Sequence, residues 1–260
     1  MLRTLVHHRG YILRAAWADV RRRYAGSAIG IAWNVIQPLA LILIFTIVFT
    51  EVVTGRSDPS VPGGYPVYLC SLLLPWLAFA EGVGRGTRSL VDGAMYLRKL
   101  PIPEEVFTAV AVVSAGIGLA ISLTVFMPIA SLLGQPVTWH WLFVPLSMVF
   151  MLLLVLGLAV GLAAVHAFIR DTGTIVQILL QVGFWSYPIV YGESFLPSWM
   201  AALLPFHPLH GSFSATRDML LHARLPGWES WALMVGWSAI ALGVGAVVMN
   251  RLRAEIRDVL

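Results

Sequence analysis

Long runs without charge dominate this chain, and they set its class before any motif is sought. Residues 29–50 carry no charged side chain, and 67–80 form a second apolar run that must pass Glu81 to reach full length. Residues 106–169 contain no Asp, Glu, Lys or Arg. A helix of about 20 apolar residues crosses a hydrocarbon core of roughly 30 Å, so that third run is too long for one crossing. Gly134, Gln135 and Pro136 divide it into two. Residues 174–190 and 231–249 complete six predicted transmembrane helices. Barrel strands would alternate polarity over about 10 residues, which these runs do not. The pattern predicts an all-α polytopic membrane protein forming a single transmembrane domain over 1–260.

Polar pattern marks what lies between the spans. In residues 1–28, Leu13, Trp17, Val20 and Tyr24 recur at helical spacing while Arg14, Arg21 and Arg22 project elsewhere. That predicts an amphipathic helix in the plane of the headgroups. The same stretch lacks an apolar run long enough for a signal peptide. Residues 190–229 are amphipathic, and Pro197, Pro205 and Pro208 divide them into two predicted helices, 198–204 and 209–221. Irregular backbone is not tolerated in contact with lipid tails, so this hairpin must lie in the outer interface or re-enter against protein. Span six and the tail occupy 231–260.

Charge fixes the expected orientation. With both termini inside, fourteen of the seventeen Lys and Arg residues fall in inner segments; only Arg56, Arg217 and Arg224 are outer. Hydrophobic residues make up 58% of the chain and charged ones 12%, which excludes an ordinary soluble domain. The net charge of +4 tracks span ends rather than a nucleic-acid surface, so no nucleic-acid partner is expected. A lone cysteine, Cys70, rules out an intrachain disulfide.

The sequence offers little catalytic chemistry. Lys99, the only lysine, stands between Arg98 and Leu100-Pro101 rather than in a phosphate-binding loop. No HExxH or G-x-S-x-G occurs, the seven histidines are scattered, and no metal or catalytic residue is expected. Glu81, one turn before Arg85, reads as its structural partner rather than a proton relay.

Four blocks carry a resemblance. RRRYAGSAIGIAWNVIQPL (21–39), MYLRKLPIP (95–103), IRDTGTIVQILLQVGFWSYPIVY (169–191) and FHPLHGSFSATRDML (206–220) are similar, in order and spacing, to blocks of the permease subunit of bacterial polysaccharide ABC exporters. This ABC-2 type group includes the O-antigen (Wzm-like), teichoic-acid and capsule permeases. The resemblance implies a homodimer with two copies of a separate ABC ATPase, which binds ATP and Mg. This chain would hold no cofactor. It further implies export of a lipid-linked polysaccharide, O-antigen first, across the bacterial cytoplasmic (inner) membrane, with both termini cytoplasmic. Teichoic acid, capsule or a small molecule are the alternative cargoes. A membrane-embedded glycosyltransferase would need more inner-loop carboxylates than Asp92, Glu104, Glu105 and Asp171, and a bare scaffold leaves 92–103 unexplained.

Candidate residues follow. A helix capped by Asp92, with Met95, Tyr96 and Leu97 as apolar contacts, Arg98 and Lys99 as charges, and Pro101 and Pro103 as its stop, would take force from the ATPase. Arg21, Arg22, Arg23 and Tyr24 suit a lipid diphosphate or an anionic phospholipid. Trp33, Phe184, Trp185, Tyr187 and Tyr191 offer sugar rings flat apolar faces, or serve as interface belt and packing. The 190–229 hairpin would be an external gate, with Arg217 and Asp218 at its rim.

Overall fold

The computed structural model describes residues 1–23, 26–27, 29–48, 63–192 and 196–260; Tyr24 and Arg56 lie outside them. Among the described residues there is no strand. The α-helices are α1 (Leu2–His7), α2 (Arg9–Arg22), α3 (Trp33–Ile47), α4 (Gly64–Asp92), α5 (Ala94–Lys99), α6 (Glu104–Leu132), α7 (Val144–Phe168), α8 (Thr172–Ser186), α9 (Ser198–Leu203), α10 (His210–Leu220) and α11 (Trp228–Val259).

Four helical stretches are long and apolar enough to cross a membrane: Gly64–Asp92, Glu104–Leu132, Trp139–Phe168 and Trp228–Arg257. They carry predicted spans two, three, four and six. Spans one and five differ from expectation. They appear as α3 and α8, each 15 residues, or roughly 22 Å at 1.5 Å per residue. Pro188 explains the early end of α8, because the residue before a proline is driven out of the helical region and Tyr187 is extended with ψ 140°. Pro38, in contrast, sits inside α3 without ending it, as Pro75 and Pro128 do in α4 and α6.

α4 is the hub. It packs on α3, α6, α7, α8 and α10, and a continuous apolar core runs from Val67, Leu69, Leu72 and Leu73 to Met151, Val155 and Tyr187. α11 lies along α7, where Gly157 and Gly245 let the backbones touch. A Cβ on Gly245 would meet the Gly157 carbonyl oxygen at 2.1 Å, so this crossing depends on small residues.

The N-terminal stripe is rotated from the one expected. α2 buries Ile12, Ala16 and Val20, with Leu5 and Ile12 packing on Val106 and Ala109 of α6. Leu13 and Trp17 of the predicted stripe are exposed. Periodicity detects an apolar face, but here one such face meets protein and a neighbouring one points away from it.

The two ends of the bundle collect different elements. One gathers α1, α2, α5 and the C-terminal end of α11. The other gathers the α6–α7 turn, α9, α10 and residues 187–192. There Gly134 takes φ +99°, and the buried Gln135 amide donates to the carbonyls of Leu220 (2.9 Å) and Leu221 (3.0 Å). It thereby satisfies the last acceptors of α10. α9 and α10 coincide with the predicted hairpin helices to within a residue.

Candidate functional site

At the first end, α5 is a six-residue helix between α4 and α6. Leu97 is fully buried and packs with Leu90, Val160, Ala163, Met249 and Ile256. Met95 and Tyr96 are 61% and 54% exposed, and Arg98 and Lys99 are exposed beside them. Asp92 does not cap this helix, contrary to expectation. α4 runs through Asp92, Gly93 stands at the N-cap, and no side-chain cap bond forms. Gly93 serves because α4 and α5 share it as the end of one helix and the start of the next. After Lys99 the chain extends at Leu100, and Pro103 opens α6. The next residues, Glu104 and Glu105, are buried and ion-paired with Arg257 and Arg253 of α11. The sequence marks this pair only as two of four inner-loop carboxylates.

The predicted basic patch is split. Arg21 and Arg22 face outward, with the Arg21 guanidinium 5.6 Å from the Trp17 ring centre. Arg23 turns inward, pairing with Glu81 and donating to Ser114 Oγ at 2.7 Å. Arg85 bridges Glu81 at 3.1 Å and Asp19 at 2.6 Å, and Ser114 donates to Asp19 at 2.7 Å. The expected Glu81–Arg85 pair is therefore present inside a larger network joining α2, α4 and α6. Burial pushes the Asp19 carboxyl up, but hydrogen bonds from Arg85 and Ser114 and the charges of Arg85 and Arg23 outweigh it and hold it below its ordinary value. A cleft of about 140 Å³ borders the network, lined by Arg23, Asn34, Gln37, Glu81 and Ser122 with apolar walls from α3, α4 and α6.

The predicted aromatics divide by environment. Phe184 stacks on Trp76 of α4 at 5.8 Å. Tyr187 is fully buried against His207, His210 and Phe213, its hydroxyl 3.3 Å from His210 Nδ1. Both are packing residues. Trp185 is 57% exposed, Tyr191 donates to the Trp185 carbonyl at 2.7 Å, and Trp33 donates to Ser27 Oγ at 3.0 Å from the start of α3. α3 and α8 each pack on α4. Sequence reasoning missed the amides of Gln177 and Gln181, which share one exposed face of α8 with Thr174 and the predicted Trp185 at spacings of three and four.

Arg217 is not at a rim. It is buried in α10, its guanidinium 4.2 Å from the Tyr68 ring centre and donating to the Pro188 carbonyl. Tyr65 and Tyr68 of α4 donate to the carbonyls of Val190 and Tyr191. Three side chains thus satisfy the non-helical backbone after α8, as a low-dielectric surrounding requires. Asp218 pairs with Arg224 at 2.6 Å.

Long apolar helices with the short α5 exposed at one end define a multi-pass membrane protein. Residues 12–221 match the ABC-2 type transporter family, and the chain belongs to it. It is 26% identical over 260 residues to the O-antigen export system permease protein RfbA of Myxococcus xanthus, covering 99% of this chain and 98% of that protein. It is 23% identical over 243 residues to the O-antigen export system permease protein RfbA of Klebsiella pneumoniae, covering 93% and 92%. A second Klebsiella pneumoniae protein of the same name is 21% identical over 243 residues.

Proposed function

We propose that this chain is the channel-forming subunit of an ATP-driven exporter that moves a lipid-linked polysaccharide, O-antigen first, across the bacterial cytoplasmic membrane. In this reading two copies form the path, α3 and α8 serve as its first and fifth spans, and both termini are cytoplasmic. Two copies of a separate ATPase, carrying ATP and Mg, dock on α5. The observation that carries the reading is the geometry of α5: a short helix pinned by buried Leu97 while Met95 and Tyr96 stand free. Exposed Met and Tyr on an otherwise anchored element suit a protein partner. At the opposite end, α9, α10 and the braced 187–192 segment suit an external gate. The cargo assignment takes support from the similarity to O-antigen export permeases.

The test is complementation. A strain lacking its own O-antigen permease, given this chain together with its cognate ATPase, is expected to regain surface O-antigen, read by immunoblot of whole-cell lipopolysaccharide. Surface glycan that stays absent while the chain sits in the membrane with the ATPase bound would refute the cargo. No copurifying ATPase would refute the transporter assembly.

A further inference from the structure

We infer that Glu104, Glu105, Arg253 and Arg257 form a force-bearing joint that ties the coupling segment to the C-terminal helix. They are positioning residues rather than a folding staple. The inference rests on the reading above, in which an ATPase moves α5.

The joint is built from both ends of the sequence. Glu104 and Glu105 open α6 with 3% and 0% exposure. Arg257 Nε meets Glu104 Oε1 at 2.7 Å, Arg253 Nε lies 3.3 Å from Glu104 Oε2, and Arg253 Nη2 is hydrogen-bonded to Glu105 Oε2. Arg257 Nη2 also donates to the carbonyl of Ile102 at 3.2 Å, which lies between Pro101 and Pro103 in the elbow itself. Leu97 of α5 adds an apolar link, sharing one buried cluster with Met249 and Ile256 of α11, with Leu260 just beyond it, and with Val160 and Ala163 of α7.

Carboxylates at a helix N-terminus gain from the backbone dipole while fully solvated. Burying two of them there carries a desolvation cost that ion pairing at best offsets, and apolar replacements of such groups are often as stable. One oxygen of Glu105, Oε1, is buried with no hydrogen-bond partner among the described residues. Stability alone therefore gives a weak reason for the arrangement. Direction gives a stronger one. Guanidinium forks fix distance and angle to a carboxylate, whereas apolar side chains slide past one another. A push on Met95 and Tyr96 reaches the elbow, and the paired charges pass it to α11, which lies along α7 through the glycine crossing at Gly157 and Gly245.

The experiment uses the full complex of this chain with its ATPase in proteoliposomes. It compares the parental chain with Glu105→Gln, Arg253→Met, Arg257→Gln and the exchange Glu105→Arg with Arg253→Glu. ATP hydrolysis, glycan export, copurified ATPase and thermal stability are measured on each. The expected result is hydrolysis within about twofold of parental and an unchanged amount of bound ATPase. Export per ATP should fall about tenfold in the single Glu105 and Arg253 variants and return to at least a third of parental in the exchange. Export and hydrolysis in parental proportion in all variants would overturn the joint. So would parallel loss of stability, hydrolysis and export without recovery in the exchange, which assigns these residues to folding. Arg257→Gln, on the more exposed of the two arginines, keeps the question decidable if the Glu105 variants fold poorly. An ATPase absent from the parental preparation would remove the functional reading, and the joint with it; an ATPase bound and active in parental and variant alike isolates the joint.

Discussion

Asp19 shows how a single polar side chain is reassigned once its neighbours are known. In the sequence it is one acid among the arginines of the N-terminal helix; in the structure it receives Arg85 and Ser114 and holds α2 against α4 and α6. Its folded value lies below the ordinary 3.8. The stability it contributes is therefore present above about pH 4 and lost as pH falls through the depressed folded value. Asp19→Asn is expected to cost about 1–3 kcal/mol at pH 7, because it weakens the hydrogen bond from Arg85 and removes the ion pairing with Arg85 and Arg23. The cost should start to shrink below about pH 4, as the unfolded carboxyl takes up a proton, and disappear once pH falls through the lower folded value; melting in detergent at pH 7 and at steps below pH 4 measures both. A cost that stays constant across that range would mean that charge is not what Asp19 supplies. The Glu81–Arg85 pair was legible because i, i+4 spacing is local. The hydrogen-bond partners of Asp19, Ser114 and the Tyr65 and Tyr68 hydroxyls were not, since they lie far away in sequence.

Element boundaries were legible wherever proline or glycine sets them. Pro197 and Pro208 delimit α9 and α10, and Gly134 with Gln135 turns α6 into α7. Elements whose limits depend on packing were not. α2 turns Ile12, Ala16 and Val20 rather than Leu13 and Trp17 toward the protein. α5 gives the sharpest contrast. The sequence grouped Tyr96 and Leu97 as equivalent contacts, whereas one is exposed and the other fully buried. Tyr96→Ala is expected to release the ATPase, with copurification down at least fivefold, while melting changes by no more than about 0.5 kcal/mol. Leu97→Ala should instead cost about 2–5 kcal/mol through the cavity it leaves. Equal loss of partner and equal stability in the two variants would show that α5 does not divide into a docking face and an anchor.

At the scale of the whole molecule, the interior of one chain is filled: α4 is surrounded by packed Leu, Val, Trp and Phe side chains. A hydrated glycan cannot cross hydrocarbon without losing the hydrogen bonds of its hydroxyls, so its path must use an outer polar face that something else closes. α8 offers such a face in Thr174, Gln177, Gln181 and Trp185, flanked by exposed Ile175, Leu179 and Val182. A second copy, related by a two-fold axis, would close it with the same residues and line the path from both sides. Cysteine at Gln181 in a Cys70→Ala background is expected to cross-link two copies, while cysteine at Thr124, exposed on α6, should not. Gln181→Leu and Trp185→Ala should each lower glycan export several-fold, leaving membrane insertion and ATPase binding unchanged. Tyr187→Ala, in contrast, should act through stability, costing about 3–5 kcal/mol because its ring is fully buried. Efficient cross-linking from Thr124, or parental export by both α8 variants, would place the path elsewhere on the molecule.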